Sequence, residues 1–224
     1  MGKLPDEMKE KILNAAVGLF RDKGYMKTSM DDIAHAVGLT KGGIYYYVKK
    51  KEHLLVEMHY KIVDTFLHKF AVALESESDF SMKIYSWVKT HVAIMHDFEP
   101  YIKIYFKELD NIPEKESIAI QKKSNAAQLM LRNVIVEGIE KKQVRSDIDP
   151  QIASFLILGM LNWIPQWYRP TGPRTVSEIA DHVNKILNSG IVDADHLRKR
   201  EKSEGKHEVF DTSNERNGEL DQKV

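Results

Sequence analysis

The stretch from Ser29 to Lys51 constrains the fold of this chain more than any other part of it. It reads SMDDIAHAVGLTKGGIYYYVKKK, two short helical patterns separated by a glycine. Ser29 can cap the first pattern, and Asp32 stands where the acidic residue of a capping box reaches back to the cap. Gly38 tolerates the left-handed conformation that ends a helix, and Thr40 can cap the second pattern. The spacing therefore predicts two short helices joined by a tight turn.

The apolar residues of both short helices fall on one side at helical spacing. They are Met30, Ile33, Ala34 and Val37 in the first helix, and Ile44, Tyr47 and Val48 in the second. The opposite side of the second helix carries small, aromatic and basic residues, namely Gly42, Tyr45, Tyr46 and Lys49. Small residues at the start of a helix let its backbone N–H groups come close to a phosphate, and tyrosine hydroxyls can bond to phosphates or base edges. The pattern favours a helix-turn-helix that inserts its second helix into a DNA major groove, over a solvated turn between two core helices.

The same residues carry a resemblance to a known family. The segments are Thr28-Ser29-Met30, Gly38-Leu39-Thr40-Lys41-Gly42, Tyr45-Tyr46-Tyr47 and Lys51-Glu52. They resemble the N-terminal domain of the TetR family of transcriptional repressors. The resemblance implies an all-α homodimer with an N-terminal three-helix DNA-binding domain at residues 6–66, whose helix-turn-helix motif covers 29–48, and a C-terminal ligand-binding and dimerisation domain at 67–192.

The resemblance also implies roles for individual residues of the motif. Thr28 and Lys51 would bind phosphates of the operator. The groove-facing set would be Thr40, Lys41, Gly42, Gly43, Tyr45 and Tyr46. Lys49 would add positive charge just past the second helix. The implied partners are a palindromic double-stranded DNA operator, a second copy of the chain and a small-molecule effector.

Composition limits the other classes of protein. The 224 residues include no cysteine, so neither a disulfide framework nor a thiolate site is expected. No run of apolar residues is long enough for a membrane span and no signal-peptide core is present, so we expect a soluble cytoplasmic protein. The net charge is zero, but residues 1 to 52 carry ten Lys or Arg against seven Asp or Glu. A basic head on a neutral chain favours local DNA contact over broad electrostatic adhesion.

The rest of the chain has the pattern of successive helices, followed by a charged tail. Helices are predicted over 6–23, 52–74, 80–97, 100–109, 114–142, 150–168 and 175–189, with Gly190 closing the last. Residues 193–224 are charged and poor in apolar residues, which predicts a partly disordered tail.

The helix predicted from Ile152 to Tyr168 is apolar on most of its sides. Such a helix must be covered on most sides, and a partner subunit is the favoured second cover. Burial wholly within one subunit is the alternative. Pro165 lies inside this helix and is expected to bend it. If a partner subunit covers the helix, Leu158→Asp is expected to dissociate the dimer.

The segment from Asn162 to Gly172 resembles one found in TetR-family regulators of fatty-acid and sterol breakdown that respond to acyl-CoA thioesters. An acyl chain needs an apolar tunnel, and the predicted lining residues are Phe98, Tyr101, Tyr105, Phe106, Met130, Trp163 and Trp167. The coenzyme phosphates need cations, for which the candidates are Arg169, Lys122, Lys123 and Arg132. Tryptophans at helical spacing are also common as plain core residues.

No catalytic or metal-binding motif stands out, so neither an enzyme nor a cofactor or metal site is expected. The leading prediction is a ligand-responsive repressor whose effector is a fatty acyl-CoA. A regulator of multidrug efflux with a promiscuous aromatic pocket is the first alternative. The second, from a different class, is a small-molecule-binding or catalytic helical domain that does not bind DNA.

Overall fold

The computed structural model describes residues 3–192, except 76, 78 and 170, together with residue 195. Its helices are α1 Lys3–Lys23, α2 Met30–Val37, α3 Lys41–Tyr47, α4 Lys51–Glu75, α5 Phe80–Asp97, α6 Glu99–Lys107, α7 Glu114–Glu140, α8 Pro150–Asn162, α9 Ile164–Trp167 and α10 Val176–Ile191, with a 3₁₀ turn at Leu109–Asn111. In the described ranges, extended backbone pairs only at one bridge, between Val144 and Val192. The all-α prediction is confirmed.

The turn between α2 and α3 forms as its sequence predicts. The Ser29 hydroxyl accepts from the backbone N–H of Asp32 at 3.1 Å, and the Asp32 carboxylate accepts from the N–H of Ser29 at 2.7 Å. Gly38 has φ 74°, in the left-handed region, and Thr40 accepts from the N–H of Gly43 at 3.1 Å. Hydrogen bonds from Lys23 and Ser29 also hold the pKa of Asp32 well below its usual range. The two caps and the left-handed glycine therefore form the tight turn that the sequence predicts.

Replacing Ser29 with alanine is expected to lower the free energy of unfolding by about 1 kcal/mol, because the first turn of α2 loses its cap. Denaturant unfolding of the wild type and the variant measures the difference. Ser29→Asn is the matched control, since asparagine keeps a capping oxygen and should stay within about 0.5 kcal/mol of the wild type. Equal stability of all three proteins would show that the cap is dispensable.

Two hydrophobic clusters form the interior, and α4 runs through both. The first cluster joins α1, α2 and α3 to the first half of α4 and to α6, with Ile12, Ile33, Ile44 and Leu55 fully buried. The second joins the end of α4 to α5, α7, α8 and α10. Phe70 of α4 stacks there on Trp87 with ring centroids 3.7 Å apart. We call the part of the chain from α1 to α3 the head and the part from α5 to α10 the body, and we call the first and second clusters the head cluster and the body cluster. One continuous helix, α4, thus connects the head to the body.

Two corrections concern the helices predicted after residue 149. The predicted helix over 150–168 is interrupted at Trp163, since α8 ends at Asn162 and α9 begins at Ile164. Pro165 has no N–H to donate to the carbonyl four residues before it, so it interrupts the hydrogen bonding of α8 and lies instead in the first turn of α9. The last helix runs through Gly190 to Ile191, where the Ile191 carbonyl accepts from the N–H of Arg145 at 3.2 Å. The predicted tail, 193–224, lies outside the described residues apart from Asp195.

Candidate nucleic-acid interface and ligand cavities

The outward side of α3, which we call the α3 surface, is formed by Gly42, Tyr45, Tyr46 and the neighbouring Lys41 and Lys49. Ile44 on the opposite side is fully buried and anchors the helix. The Tyr46 side chain is 76% exposed. Its ring makes an edge-to-face contact with the ring of Tyr47, with the centroids 5.1 Å apart. A large aromatic ring held in water on a short helix is available for a partner.

Polar contacts hold the neighbours of these tyrosines in place. The Lys41 ammonium forms an exposed ion pair with Asp31 at 3.0 Å, and the Lys49 ammonium donates to the carbonyl of Tyr45 at 2.7 Å. A Cβ on Gly43 would lie 3.2 Å from the Thr40 hydroxyl oxygen, so the missing side chain at Gly43 leaves room for the cap. Thr40, Lys41, Gly42, Tyr45, Tyr46 and Lys49 therefore come together, whereas Gly43 is partly covered.

Thr28 and Lys51 are placed differently from the α3 surface. The Thr28 side chain is buried, and its hydroxyl donates to the carbonyl of Gly24 at 2.8 Å. The Lys51 ammonium donates to the carbonyls of Tyr25 and Thr28, at 2.7 and 2.8 Å, and lies 4.2 Å from the centre of the Tyr25 ring. In this structure both side chains bind the turn between α1 and α2. Their contact with phosphate stays a prediction, and no sequence spacing signals the roles seen here.

A cavity of about 320 Å³, the central cavity, lies where α4, α5, α6, α7 and α8 meet. Its lining is mainly apolar and aromatic: Ile62, Val63, Phe66, Phe70, His91, Met95, Ile102, Tyr105, Phe106, Leu109, Ser124, Ala127, Leu158 and Asn162. Four of these residues belong to α4, the helix that continues into the head. A molecule in the central cavity would therefore touch the element that links the body to α3.

The structure brings two of the predicted effector-binding residues to the central cavity, Tyr105 and Phe106. It places the others elsewhere. Phe98 and Tyr101 pack against the head cluster, and the Tyr101 hydroxyl donates to Asn14 of α1 at 2.8 Å. Met130 packs against the body cluster. Trp163 and Trp167 are 65% and 52% exposed and do not line the cavity, because both lie on the apolar side that α8 and α9 leave uncovered.

A second cavity of about 530 Å³, the junction cavity, lies between α1 of the head and the α6 and α9 region of the body. Four cationic side chains line it: Arg21, Lys103, Lys107 and Arg169. One carboxylate, that of the buried Glu108, lines it too. Ile102 and Phe106 line both cavities, so the junction cavity adjoins the central one.

Of the four cations predicted to bind the coenzyme phosphates, Arg169 is the one that lines the junction cavity. The Lys123 ammonium instead pairs with Asp64, and neither Lys122 nor Arg132 lines either cavity.

The α8 helix keeps one apolar side uncovered. Its exposed apolar side chains follow helical spacing and continue into α9: Ile152, Phe155, Leu156, Met160, Trp163 and Trp167. Gly159 lies in the middle of this stripe, with nothing within 4 Å of where a Cβ would stand. We call the stripe the α8 face. Leu158 points to the central cavity instead, so Leu158→Asp, the substitution that the sequence suggests, does not test this face.

Metal-binding and membrane-spanning features are absent from the described part of the chain. Among the described residues, no three His, Asp or Glu side chains come close enough to hold a metal ion. No helix in the described ranges is both long and apolar enough to cross a membrane.

Comparison with known proteins places this geometry in a family. Residues 77–191 match the family model described as "Tetracyclin repressor-like, C-terminal domain", and residues 12–58 match "Bacterial regulatory proteins, tetR family". The chain belongs to the TetR family. As a TetR-type regulator it is a ligand-responsive transcriptional repressor and not an enzyme, in agreement with the sequence prediction.

Individual TetR proteins resemble the chain over most of its length. The HTH-type transcriptional repressor KstR2 of Rhodococcus jostii is 26% identical over 182 residues, which cover 80% of this chain and 89% of KstR2. The TetR-family regulator PfmR of Thermus thermophilus has a similar structure, with TM-score 0.75, 26% identity and coverage of 80% and 97%. AibR, solved with isovaleryl coenzyme A and operator DNA, shares the fold with TM-score 0.71 and 23% identity, over 80% of this chain and 96% of AibR.

Proposed function

We propose that this TetR protein is a homodimeric repressor that binds a palindromic operator and releases it when a fatty acyl-CoA binds. The observation that carries the proposal is that an apolar cavity and a cationic one share two lining residues, Ile102 and Phe106. An acyl-CoA joins an apolar chain to a polyanionic coenzyme, and the central and junction cavities offer those two environments on either side of Ile102 and Phe106. The guanidinium of Arg169 and the ammonium of Lys107 suit the coenzyme phosphates, whereas the guanidinium of Arg21 already pairs with Asp22 at 2.6 Å.

The arrangement of α4 supplies a route from the effector to DNA. Ile62, Val63, Phe66 and Phe70 of α4 line the central cavity, and the same helix packs in the head cluster through Leu54 and Leu55. The junction cavity also touches the head directly, through Phe20 and Arg21 of α1. An effector that binds better to a conformation with a shifted α4 would move the two heads out of register with their half-sites.

The relatives support the same interpretation without fixing the effector. AibR was solved with isovaleryl coenzyme A and operator DNA, and KstR2 is named a transcriptional repressor. The aromatic lining of the central cavity, Phe66, Phe70, Tyr105 and Phe106, also suits a planar drug-like molecule. That observation favours a regulator of efflux as the second candidate. Native mass spectrometry of the purified protein separates the two, by the mass of any ligand that it retains.

Long-chain acyl-CoA is expected to weaken binding to the protein's own upstream DNA by at least about tenfold, within the roughly 5–150-fold range of typical allosteric coupling. A mobility-shift assay measures this. Free coenzyme A and the free fatty acid are the controls, since each fills only one of the two cavities and should act more weakly. Replacing Arg169 with alanine should raise the acyl-CoA concentration needed for release. An unchanged shift at saturating acyl-CoA would remove this effector class.

A further inference from the structure

One polar side chain of the central cavity is not used by the fold. The imidazole of His91 on α5 lines the cavity and is only 2% exposed, and neither of its ring nitrogens has a hydrogen-bond partner among the described residues. The amide of Asn162 lies close enough to offset part of the effect of burial on the His91 pKa, but not in hydrogen-bonding geometry with the ring. Buried polar groups without a partner are rare because each loses its water without compensation.

The ring is held firmly by its apolar neighbours. Phe66 and Phe70 of α4 lie with their ring centroids 5.0 and 5.7 Å from that of His91. Trp87 stacks on the ring of Phe70. Since aromatic rings fix its position, His91 presents its nitrogens in a defined direction and needs little reorganisation to bind.

The other polar groups of the cavity are either engaged or uncharged. The Tyr105 hydroxyl and the Ser124 hydroxyl lie 3.1 Å apart and bond to each other. Within the described part of the chain, no lysine, arginine, aspartate or glutamate lines the central cavity, and Tyr105 is the only titratable side chain there besides His91. A carboxylate in this cavity would therefore be desolvated without a fixed cation to pair with.

We propose that His91 is a specificity-determining residue that hydrogen-bonds an uncharged oxygen, a carbonyl or a hydroxyl, within an otherwise apolar effector. The inference rests on the proposed function in that the central cavity is taken as the effector site. It adds a chemical requirement that an apolar tunnel alone does not impose. In an acyl-CoA, the thioester carbonyl or an oxygen along the chain would meet that requirement.

The protonation state of His91 agrees with this role. Burial lowers its pKa to about 3, so the ring is neutral near pH 7 and offers one N–H donor and one acceptor nitrogen. A neutral ring in apolar surroundings binds a neutral oxygen without the cost of creating a charge.

The test uses three probes of matched chain length: decanone, decane and decanoate. The wild-type protein is expected to bind decanone up to about tenfold more tightly than decane or decanoate by calorimetry, as one new buried hydrogen bond allows. His91→Leu should bind decanone less tightly than decane, because the carbonyl would then be buried without a partner, and His91→Gln, which keeps a donor and an acceptor, should restore part of the preference. A preference for decanone that survives in His91→Leu would overturn the proposal.

Two further measurements separate recognition from a structural role. If His91 serves the ligand, His91→Leu should unfold no more easily than the wild type in the absence of ligand, because it removes polar groups that lack partners. In the wild type, the ¹⁵N signals of the His91 ring should shift with decanone and not with decane. An unshifted signal at saturating decanone would also overturn the proposal.

The outcome is separable from that of the proposed function. Operator release by acyl-CoA together with no ketone preference would reject the role of His91 alone. A ketone preference that depends on His91, together with no release by acyl-CoA, would reject the effector class and leave the His91 site standing.

Discussion

Replacing Tyr46 with alanine is expected to cost about 1–3 kcal/mol in each DNA-binding head, the range typical of a single side chain that reads a base. The operator is bound by both heads of the proposed dimer, so the change acts twice. The combined cost of roughly 2–6 kcal/mol weakens operator binding by a factor of about 30 or more. The effect on folding should be small, because the 76% exposed ring packs on little besides Tyr47. Surface substitutions of this kind usually change stability by less than about 0.5 kcal/mol.

Mobility shift and thermal unfolding, measured on the same preparations, decide between a binding role and a structural one. Tyr46→Phe separates the hydroxyl from the ring. Ile118→Ala is the matched control, since Ile118 is also an exposed apolar residue but lies on α7 in the body. A Tyr46→Ala protein that binds its operator as tightly as the wild type would remove the α3 surface from the proposed interface.

Lys41 and Lys49 are expected to make DNA binding by the α3 surface depend on the salt concentration. If each binds a phosphate, replacing one of them with glutamine should reduce the slope of log affinity against log salt by about 0.9 for each phosphate that is no longer neutralised. Tyr46→Ala should leave that slope nearly unchanged. If Lys41 and Lys49 bind phosphates and Tyr46 reads a base, the two kinds of substitution report separately on positioning and on base reading.

Features set by neighbouring residues could be predicted from the sequence. The caps at Ser29 and Thr40 and the left-handed Gly38 depend on side chains within four positions, and all three formed as expected. The buried side of α1, on which Ile12, Ala16 and Phe20 lie four positions apart, is likewise a periodic property of one segment. Such features need no knowledge of the rest of the chain.

Features set by distant contacts could not be predicted in this way. Lys51 has the pattern of a surface charge in a run of lysines, yet its ammonium bonds to carbonyls more than twenty positions earlier. Trp163 and Trp167 are predicted as cavity residues because they are large and apolar, but both lie on the uncovered side of α8 and α9. His91 shows no spacing signal at all, since its role depends on five helices meeting around it. Periodicity reports which residues share a side of a helix, and not which side faces a cavity or a partner.

The second large expected effect is dissociation of the proposed homodimer by a substitution on the α8 face. Leu156→Asp is expected to dissociate the homodimer, because in a symmetric interface each chain would bury an unpaired carboxylate next to its own copy. An unpaired buried charge costs roughly 3–5 kcal/mol, and two are created, so the dissociation constant should rise by roughly 10⁴ or more. The monomer itself should stay folded, since the Leu156 side chain is 67% exposed within one chain. Gly159, in the middle of the stripe, leaves room for a partner helix to approach closely.

Sedimentation equilibrium of the wild type and the variant measures the change in mass, and circular dichroism shows whether the helices persist. Ile118→Asp provides the matched control, because it places the same charge on an exposed apolar site of α7, away from the α8 face. The dissociated variant should also lose operator binding, since each half-site would then have to be bound independently, without the second head held nearby. A Leu156→Asp protein that keeps the mass of a dimer would show that the subunits meet elsewhere and that the α8 face has another partner.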